Sequence, residues 1–387
     1  MARMKLVWHA CAIFIVLTLS ACVAPEQYHT PIMKGENGYR QCDVEKDKKL
    51  GCDYQACDMT LAGCEQSAIQ TYRGYTQLPE CKDDNESGNQ LEDITQAGYK
   101  LGFIEFDEHG LLYDREQMRA VLDMIRNEVV YKKNNNALIV VFMHGWQHSA
   151  APTDCNLDAF KSALARLRQA EENVDPNSPR KVIGVYLGWR GETRIVLGFA
   201  QLTFWDRKSM AEKIGHVGLA EVLTKLEEVR NEANSAGDNS SKLIIIGHSF
   251  GATAIYAALS QILAARFVRS SDKPGQKTPI EGFGDLVVLI SPAFEALSFT
   301  PLSDMSTERK EYPDSQLPVL AILTSENDWA TRYAFPIGRA ISTLFDRTED
   351  KSRQDRFNPA TSKGEVIDEN QANVTAVGHF EPYWTHC

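Results

Sequence analysis

The sequence has no excess of positive charge and no internal repeat. Its 387 residues include 41 Lys and Arg against 52 Asp and Glu, which gives a formal net charge of -11. Because a chain of this charge repels phosphate backbones, we expect no nucleic-acid binding. The lack of repeats and low-complexity tracts, with 43% hydrophobic residues, excludes disordered, collagen-like and coiled-coil proteins. The composition indicates a globular protein with one large domain or two smaller ones.

The N-terminus carries an apolar run that is too short for a comfortable membrane span. Arg3 and Lys5 precede the uncharged, mostly apolar residues 6–21, a pattern typical of a secretory signal peptide. The sequence LSAC at 19–22 closes this run and resembles the lipobox of bacterial lipoproteins, in which the cysteine is acylated after cleavage. The resemblance implies a signal peptide at 1–21, a lipid anchor on Cys22, and a place in the bacterial cell envelope on the periplasmic or surface side of a membrane. An ordinary signal peptide cleaved nearby is the alternative.

Histidine is lacking from the cysteine-rich segment that follows. Residues 42–96 hold 5 basic and 12 acidic residues and show no sustained apolar periodicity. Since acidic residues and no histidine lie between the cysteines, disulfide bonds are a better prediction than a metal site, with the connectivity left open. We interpret 22–98 as an acidic, irregular spacer in front of a globular domain at 99–387. Its cysteines are Cys42, Cys52, Cys57, Cys64 and Cys81.

From residue 99 onward, short β-branched runs alternate with long amphipathic ones. Continuous apolar strands separated by helices predict a mostly parallel sheet with helices on both faces, which is an α/β domain. Functional residues are then expected just after the strands, at their carboxyl ends. Strands are predicted at 101–106, 137–143, 181–187, 242–246, 285–290, 318–323 and 373–377. Helices are predicted from Asp114 onward and at 157–171, 207–231, 250–268 and 332–344.

The predicted strand 242–246 runs directly into the sequence GHSFG at 247–251, and a helical pattern follows. Strand, GxSxG and helix form the pattern of a nucleophile elbow, a turn so sharp that Cβ atoms at the flanking positions would clash. Ser249 would lie at the tip of this turn, where the helix N-terminus favours developing negative charge. We therefore predict that Ser249 is a nucleophile. A glycine-rich turn without chemistry is the alternative.

A nucleophilic serine needs a general base and an orienting acid. His379 follows the last predicted strand, 373–377, and is the predicted base. Asp328 follows the strand 318–323 and is the predicted acid that accepts the imidazole N–H. Glu326 in the same loop competes with it, and Glu295, which follows the strand 285–290, is the more serious rival.

An oxyanion hole is predicted from the sequence HGW that follows the strand 137–143. The backbone amides of Trp146 and Phe250 would donate to the oxyanion, although a simple turn is the alternative. His144 and His148 also have the spacing of two helical zinc ligands. They follow a strand and lack the glutamate of a metalloprotease, so we expect no metal.

The substrate pocket has two candidate segments. Trp189 and Arg190 follow the strand 181–187 and are possible substrate-binding residues, Arg190 for a carboxylate or phosphate. A structural salt bridge is the alternative for Arg190. The aromatic and aliphatic stretch 195–205 is equally consistent with a lid or acyl-binding wall and with helix packing.

The segments VVFMHGW, GVYLGWRG, LIIIGHSFG, TSENDWA and AVGHF resemble the α/β-hydrolase superfamily over about 101–379. The HGW, GWRG and GHSFG turns together also resemble a little-characterised bacterial branch described only as hydrolases. The resemblance implies the hydrolase fold and the triad of Ser249, Asp328 and His379, but no substrate, and it does not extend to the cysteine-rich segment.

We predict a serine hydrolase that cleaves a small-molecule or lipid ester through an acyl-enzyme, with no cofactor. A thioesterase or peptidase would use the same triad. The alternative of another class is a non-catalytic envelope lipoprotein, with a binding or assembly role, that keeps the hydrolase fold.

Overall fold

The protein is described from a computed structural model. It describes residues 27–30, 33–35, 38–40, 57–59, 64–72, 98–132, 136–191, 200–235, 240–270, 277–309, 311–336, 339, 353–357 and 364–384. The predicted signal peptide, the predicted lipidation site at Cys22 and residues 195–199 of the possible lid lie outside these ranges.

A mostly parallel sheet forms the centre of the domain. The strands among the described residues are β1 Met33–Gly35, β2 Gly38–Arg40, β3 Cys57–Asp58, β4 Ile69–Tyr72, β5 Tyr99–Glu105, β6 Ala137–Met143, β7 Lys181–Gly188, β8 Lys242–His248, β9 Leu286–Ile290, β10 Leu320–Leu323, β11 Arg353–Phe357 and β12 Gly364–Ile367. Eight of them form the central sheet in the order β10-β9-β8-β6-β7-β5-β4-β3. The strands from β10 to β5 are all parallel, β4 is antiparallel to β5, and β3 is parallel to β4. Two further antiparallel pairs are β1 with β2 and β11 with β12.

Helices connect these strands. They are α1 Arg115–Val129, α2 Cys155–Val174, α3 Ala200–Ile214, α4 Ala220–Ser235, α5 Phe250–Arg269, α6 Ala296–Glu308 and α7 Glu369–Val374. A π-helical turn at Gly215–Leu219 joins α3 to α4, a second one lies at Ala330–Ala334, and two short 3-10 turns lie at Val377–His379 and Glu381–Tyr383.

The sheet is buried on both faces, as predicted for an α/β domain. In β6, Ile139 and Val141 belong to a core cluster that includes side chains of α1 and α5. Leu138 and Val140 belong to a second cluster, which contains Leu157 and other side chains of α2. Successive side chains of a strand point to opposite faces, so the uninterrupted apolar sequence of β6 is explained by helices on both sides. The general α/β class is thereby confirmed.

One of the predicted elements is wrong, and two predicted helices are helical throughout their described residues but contain π-helical turns. The run 373–377 is not a strand, because the side chain of Asp368 accepts hydrogen bonds from Asn370 N and Gln371 N and caps α7. The predicted helix 207–231 lies within two helices separated by a π-helical turn, where a Cβ atom at Gly215 would overlap Ala254 O of α5. In the described part of 332–344, the chain forms the end of a π-helical turn and a few more helical residues. Helix α6 was not predicted, because it contains Pro301.

The predicted boundary between 98 and 99 does not coincide with the edge of the sheet. Strand β4 pairs with β5 and β3 pairs with β4, so the cysteine-rich segment contributes strands to the domain. Tyr28 N and His29 N also donate to the carboxylate of Glu105, at 2.8 and 2.9 Å. Cys64 and Cys155 are both disulfide-bonded. The described residues that make these contacts are thus part of the domain rather than of a spacer in front of it.

The sheet has a switch point between β6 and β8, which are neighbours. From β6 the chain passes through α2 to β7 on one side, whereas from β8 it passes through α5 to β9 on the other. In open α/β sheets, ligands bind outside the carboxyl ends of the strands at such a point. The turns after β6 and β8 are therefore where a site is expected.

Candidate active site

The turn after β8 holds Ser249 in a strained backbone conformation. Ser249 has φ +53° and ψ -116°, and α5 begins at the next residue. A Cβ atom at Gly247 would lie 2.6 Å from Ala252 Cα, and one at Gly251 would overlap Met143 O. Since a positive φ is uncommon for serine and costs energy, the surrounding contacts must hold it in place. Ser249 N donates to Ile290 O at 2.9 Å and is one such contact.

The HGW turn after β6 packs directly against this elbow. A Cβ atom at Gly145 would lie 3.0 Å from Ser249 Cβ and 3.1 Å from His248 O. Trp146 is half-buried against the main core cluster, and Phe250 is the buried first residue of α5. The two residues predicted to supply oxyanion-hole amides therefore lie in segments that meet at Ser249. That their amides bind an oxyanion stays a prediction.

Asp328 and His379 are brought together through a third side chain, that of Thr331. Thr331 Oγ1 donates to Asp328 Oδ2 at 2.7 Å and lies 3.0 Å from His379 Nε2. Asp328 Oδ1 accepts from the backbone amides of Ala330 and Thr331 at 3.1 and 3.3 Å, the first two residues of the π-helical turn Ala330–Ala334. No hydrogen bond between described residues joins Asp328 directly to His379.

The electrostatics of these two groups suit an acid and base pair. Burial would raise the pKa of Asp328, but hydrogen bonds from the Ser291 and Thr331 side chains and from backbone amides outweigh it, so the pKa lies below its usual value. Burial lowers the pKa of His379, the charge of Asp328 opposes this effect, and Arg332 adds to it. At neutral pH, Asp328 is therefore ionised and His379 is uncharged, the form required of a general base.

The loop that carries His379 is fitted closely to the end of β10. A Cβ atom at Gly378 would overlap the side chain of Thr324, the first residue after β10. Trp384 Nε1 donates to Gly378 O at 3.0 Å, and Val377 N donates to Phe294 O at 3.0 Å. These contacts place His379 at the carboxyl edge of the sheet although no strand precedes it.

Ser249 and His379 are not hydrogen-bonded to each other in the described part of the chain. His379 Nε2 is occupied by Thr331, and Ser249 makes no side-chain hydrogen bond at the start of α5. The structure thus places the predicted nucleophile and the predicted base at one edge of the sheet, without a hydrogen bond between them among the described residues.

The rival acid Glu295 has other partners. Its carboxylate lies 3.2 Å from Lys208 Nζ and 2.9 Å from Arg339 Nε, and its backbone pairs with Ala376. None of the described hydrogen bonds or ion pairs joins it to His379. Glu326 has an exposed side chain, and its carbonyl accepts from Arg332 at 2.7 Å. The geometry favours Asp328 as the acid.

His144 and His148 bind protein groups rather than each other. His144 Nδ1 donates to Gly145 O at 2.9 Å, and its Nε2 accepts from Trp189 N at 3.1 Å. Burial lowers the pKa of His144 to about 4. His148 Nδ1 lies 3.1 Å from Asp154 Oδ1. No group of three His, Cys, Asp or Glu side chains that could hold a metal ion is found among the described residues.

The possible substrate-binding residues have structural partners. Trp189 is 3% exposed, and its indole N–H donates to His144 O at 2.9 Å, so its side chain supports the HGW turn from the core. We therefore correct the suggestion that Trp189 contacts a substrate. Arg190 forms an ion pair with Glu108, which corresponds to the salt-bridge alternative for this residue.

Thr331 and Ser291 are two residues of the site that the sequence did not predict. Ser291 follows β9 with φ +44° and reaches Asp328 with its side chain. Thr331 could have been suspected, because an Asp three residues before it is a common helix cap.

No protein-family model matches this chain, and no curated protein or solved structure is significantly similar to it. Within the described ranges, one helix, α5, is long and apolar enough to cross a membrane, with a mean hydropathy of 1.3. Half of that stretch is buried inside the domain, where it packs behind Ser249.

Proposed function

We propose that this protein is a serine hydrolase of the bacterial cell envelope that cleaves carboxylic esters of small molecules or lipids. The observation that carries the proposal is the conformation of Ser249, held at φ +53° between β8 and α5 at the switch point of the sheet. A strained residue in a packed turn at the ligand-binding edge is typical of a functional site. His379 and Asp328 lie at the same edge.

The reaction would proceed through an acyl-enzyme. Ser249 Oγ attacks the ester carbonyl carbon while His379 takes the hydroxyl proton, and the amides of Trp146 and Phe250 stabilise the oxyanion. His379 then gives that proton to the leaving alcohol as the acyl C–O bond breaks. A water molecule, deprotonated by His379, attacks the acyl-enzyme, and the carboxylic acid leaves as Ser249 regains its proton. The negative charge of Asp328 stabilises the imidazolium formed in both steps.

The finer fold assignment, an α/β hydrolase, is part of the same proposal. It is supported by the strand, GxSxG and helix sequence and by the order of Ser249, Asp328 and His379 along the chain. The HGW turn beside the elbow supports it further, since this is where such a fold has its second oxyanion donor.

The proposed location rests on the lipobox-like sequence ending at Cys22. Tyr28, six residues later, is bound through its backbone to Glu105 at the carboxyl end of β5. Six residues span at most roughly 20 Å, so a lipid on Cys22 would hold the carboxyl edge of the sheet close to a membrane. This arrangement suits a substrate that is a lipid ester.

The test is the exchange of the proposed nucleophile, Ser249→Ala, in the full-length protein. We expect turnover of a nitrophenyl ester panel to fall by about 10³-fold or more, and labelling by a fluorophosphonate probe to disappear. Ser162→Ala is the matched control, because Ser162 Oγ only donates to Asp158 O within α2. Equal labelling of wild type and Ser249→Ala would contradict the proposal.

Two other functions remain candidates for the same chain. A thioesterase or peptidase would use the same residues, and a panel of acyl chains and leaving groups distinguishes it from an esterase. The absence of a hydrogen bond between Ser249 and His379 among the described residues favours the non-catalytic lipoprotein of the binding or assembly class. Such a protein would show neither turnover nor Ser249-dependent labelling.

A further inference from the structure

We infer that Thr331 is a positioning residue of this site, through which Asp328 determines which ring nitrogen of His379 carries the proton. The inference rests on the proposed function for its catalytic meaning. Its structural content, the tautomer of His379, can be measured without any turnover.

The single hydroxyl hydrogen of Thr331 determines the tautomer of His379. A threonine hydroxyl has one hydrogen to donate, and a carboxylate can only accept. Thr331 Oγ1 lies 2.7 Å from Asp328 Oδ2, so its hydrogen goes to the carboxylate, which is ionised. At 3.0 Å from His379 Nε2, the same oxygen must then accept a hydrogen from that nitrogen. The proton of neutral His379 is therefore on Nε2, and the lone pair is on Nδ1.

The carboxylate oxygens of Asp328 already accept several hydrogen bonds, which leaves little room for a direct one from His379. Its Oδ1 accepts from the amides of Ala330 and Thr331, and its Oδ2 accepts from Thr331 Oγ1. The Ser291 side chain donates to the same carboxylate. Each donor stabilises the ionised form and fixes the orientation of the carboxylate. The hydrogen-bonded path from Asp328 to the imidazole thus runs through the hydroxyl of Thr331, in addition to the direct effect of the Asp328 charge on the ring.

The position of Thr331 is well determined by its surroundings. Thr331 is 2% exposed and lies in the π-helical turn Ala330–Ala334, whose first two backbone amides donate to the Asp328 carboxylate. At the other end of the turn, the buried Phe335 donates its backbone N–H to Ala330 O. A buried hydroxyl without partners would be costly, so both of its hydrogen bonds should persist.

This arrangement assigns the basic lone pair to Nδ1 of His379. When the ring takes a proton from Ser249, the new N–H forms on Nδ1, while the Nε2 hydrogen bond to Thr331 stays and becomes charge-assisted. The ring therefore does not have to flip, and its Nε2 proton stays in place, when His379 changes from the neutral to the protonated state. In the usual serine triad the acid binds Nδ1 and the base nitrogen is Nε2, so the two nitrogens have exchanged roles here.

The tautomer is measured by long-range ¹H–¹⁵N correlation spectra of the histidine rings in full-length Ser249→Ala protein. We expect His379, assigned by its loss in His379→Gln, to be an Nε2–H tautomer, and Thr331→Ser to keep this state. Thr331→Val, which has the same shape without the hydroxyl, should give a mixture of tautomers. An Nδ1–H tautomer in the parent protein, or an unchanged ring in Thr331→Val, would overturn the inference.

The kinetic test uses the same two variants in the active protein. With a nitrophenyl ester, Thr331→Val should lose about 10- to 100-fold in kcat, the range for one hydrogen bond to a charged group, while KM changes little. The acid limb of its pH profile should move to lower pH, because the imidazolium loses a stabilising partner. Thr331→Ser should restore both. Thr307→Val is the control, since Thr307 Oγ1 donates only to Ser303 O in α6.

Different experimental results would contradict the proposed function and the inference about Thr331. If Ser249→Ala leaves labelling unchanged while the Nε2–H tautomer depends on Thr331, the proposed function fails and the structural inference holds. If turnover depends on Ser249 but Thr331→Val changes neither tautomer nor pH profile, the inference fails and the proposed function holds.

Discussion

Gly145 lies against Ser249 so closely that a Cβ atom at residue 145 would be 3.0 Å from Ser249 Cβ. The same atom would lie 3.1 Å from His248 O and 3.2 Å from His248 Nδ1. Such distances are shorter than ordinary van der Waals contacts, so the turn after β6 and the elbow after β8 cannot both stay in place if the glycine is replaced. The proposed oxyanion donors flank this contact.

We therefore expect Gly145→Ala to impair turnover more than stability. A shift of a few tenths of an ångström separates the amide of Trp146 from the oxyanion position, and the loss of one such donor costs about 10²–10³-fold in kcat. The free energy of unfolding should fall by only about 1–2 kcal/mol. Ester kinetics and urea unfolding measure the two effects. A variant with full activity would contradict the placement of the oxyanion hole.

Separate substitution of Asp328 and Glu295 should show which of the two is the catalytic acid. Asp328→Asn should lower kcat by about 10³–10⁴-fold, because an amide cannot stabilise the imidazolium as a carboxylate does. Glu295→Gln should keep most of the activity but lower the free energy of unfolding by about 2–3 kcal/mol, since Lys208 and Arg339 lose a buried countercharge. Ester kinetics and urea unfolding of both variants are the measurements. The opposite pattern would make Glu295 the acid.

The sequence predicted the central strands well because burial on both faces leaves a continuous apolar run. Strand β6 has the predicted bounds 137–143. Strand β4 was missed, because its four residues are too few to show a pattern and its place depends on pairing with β5. The run 373–377 looked like a strand by composition, but the cap at Asp368 and contacts with Phe294 and Glu295 give a helix and a single bridge instead.

The candidate site was predictable in its residue types but not in its connections. Ser249 and Asp328 lie at the carboxyl edge of the sheet, where the alternation of strands and helices predicts them, whereas His379 reaches this edge although the strand predicted before it is not there. Thr331 could not be recognised, because its position between Asp328 and His379 requires two segments 48 residues apart to meet. Contacts of this kind depend on tertiary packing, of which the local sequence carries no signal.

The pH dependence of turnover should reflect His379. Burial lowers its pKa from the usual 6.5, and the nearby Arg332 adds to the shift. The active, uncharged form therefore persists below pH 6.5, and kcat/KM should fall only as the pH drops through the lowered pKa. Arg332→Gln removes the positive charge, so the acid limb should move to higher pH. Arg119→Gln, on α1, is the control, and an unmoved limb in Arg332→Gln would argue against His379 as the base.

Acid sensitivity of the fold should depend strongly on Glu128 in α1. Burial alone would raise its pKa, but hydrogen bonds from Lys100, Lys181 and Lys132 outweigh this effect and bring the pKa to about 2. A carboxyl whose pKa is depressed in the folded state stabilises the protein above the unfolded value of 4.5, and this contribution is lost as the pH falls toward 2. Two to three pKa units correspond to on the order of 2–3 kcal/mol after allowance for the partly exposed lysines.

We expect Glu128→Gln to be less stable than the wild type at pH 7 and to lose less of its remaining stability between pH 5 and pH 3. Urea unfolding across this range measures the difference. Glu232→Gln is the control, because Glu232 forms a more exposed ion pair with Arg126 in the last turn of α1. Lys100 and Lys181 lie near the N-terminal ends of β5 and β7, far from the carboxyl edge that carries the candidate active site. Loss of this cluster should therefore lower stability and leave the kcat of the folded enzyme unchanged. Equal acid sensitivity in Glu128→Gln and wild type would show that the three lysines do not hold the carboxylate in solution.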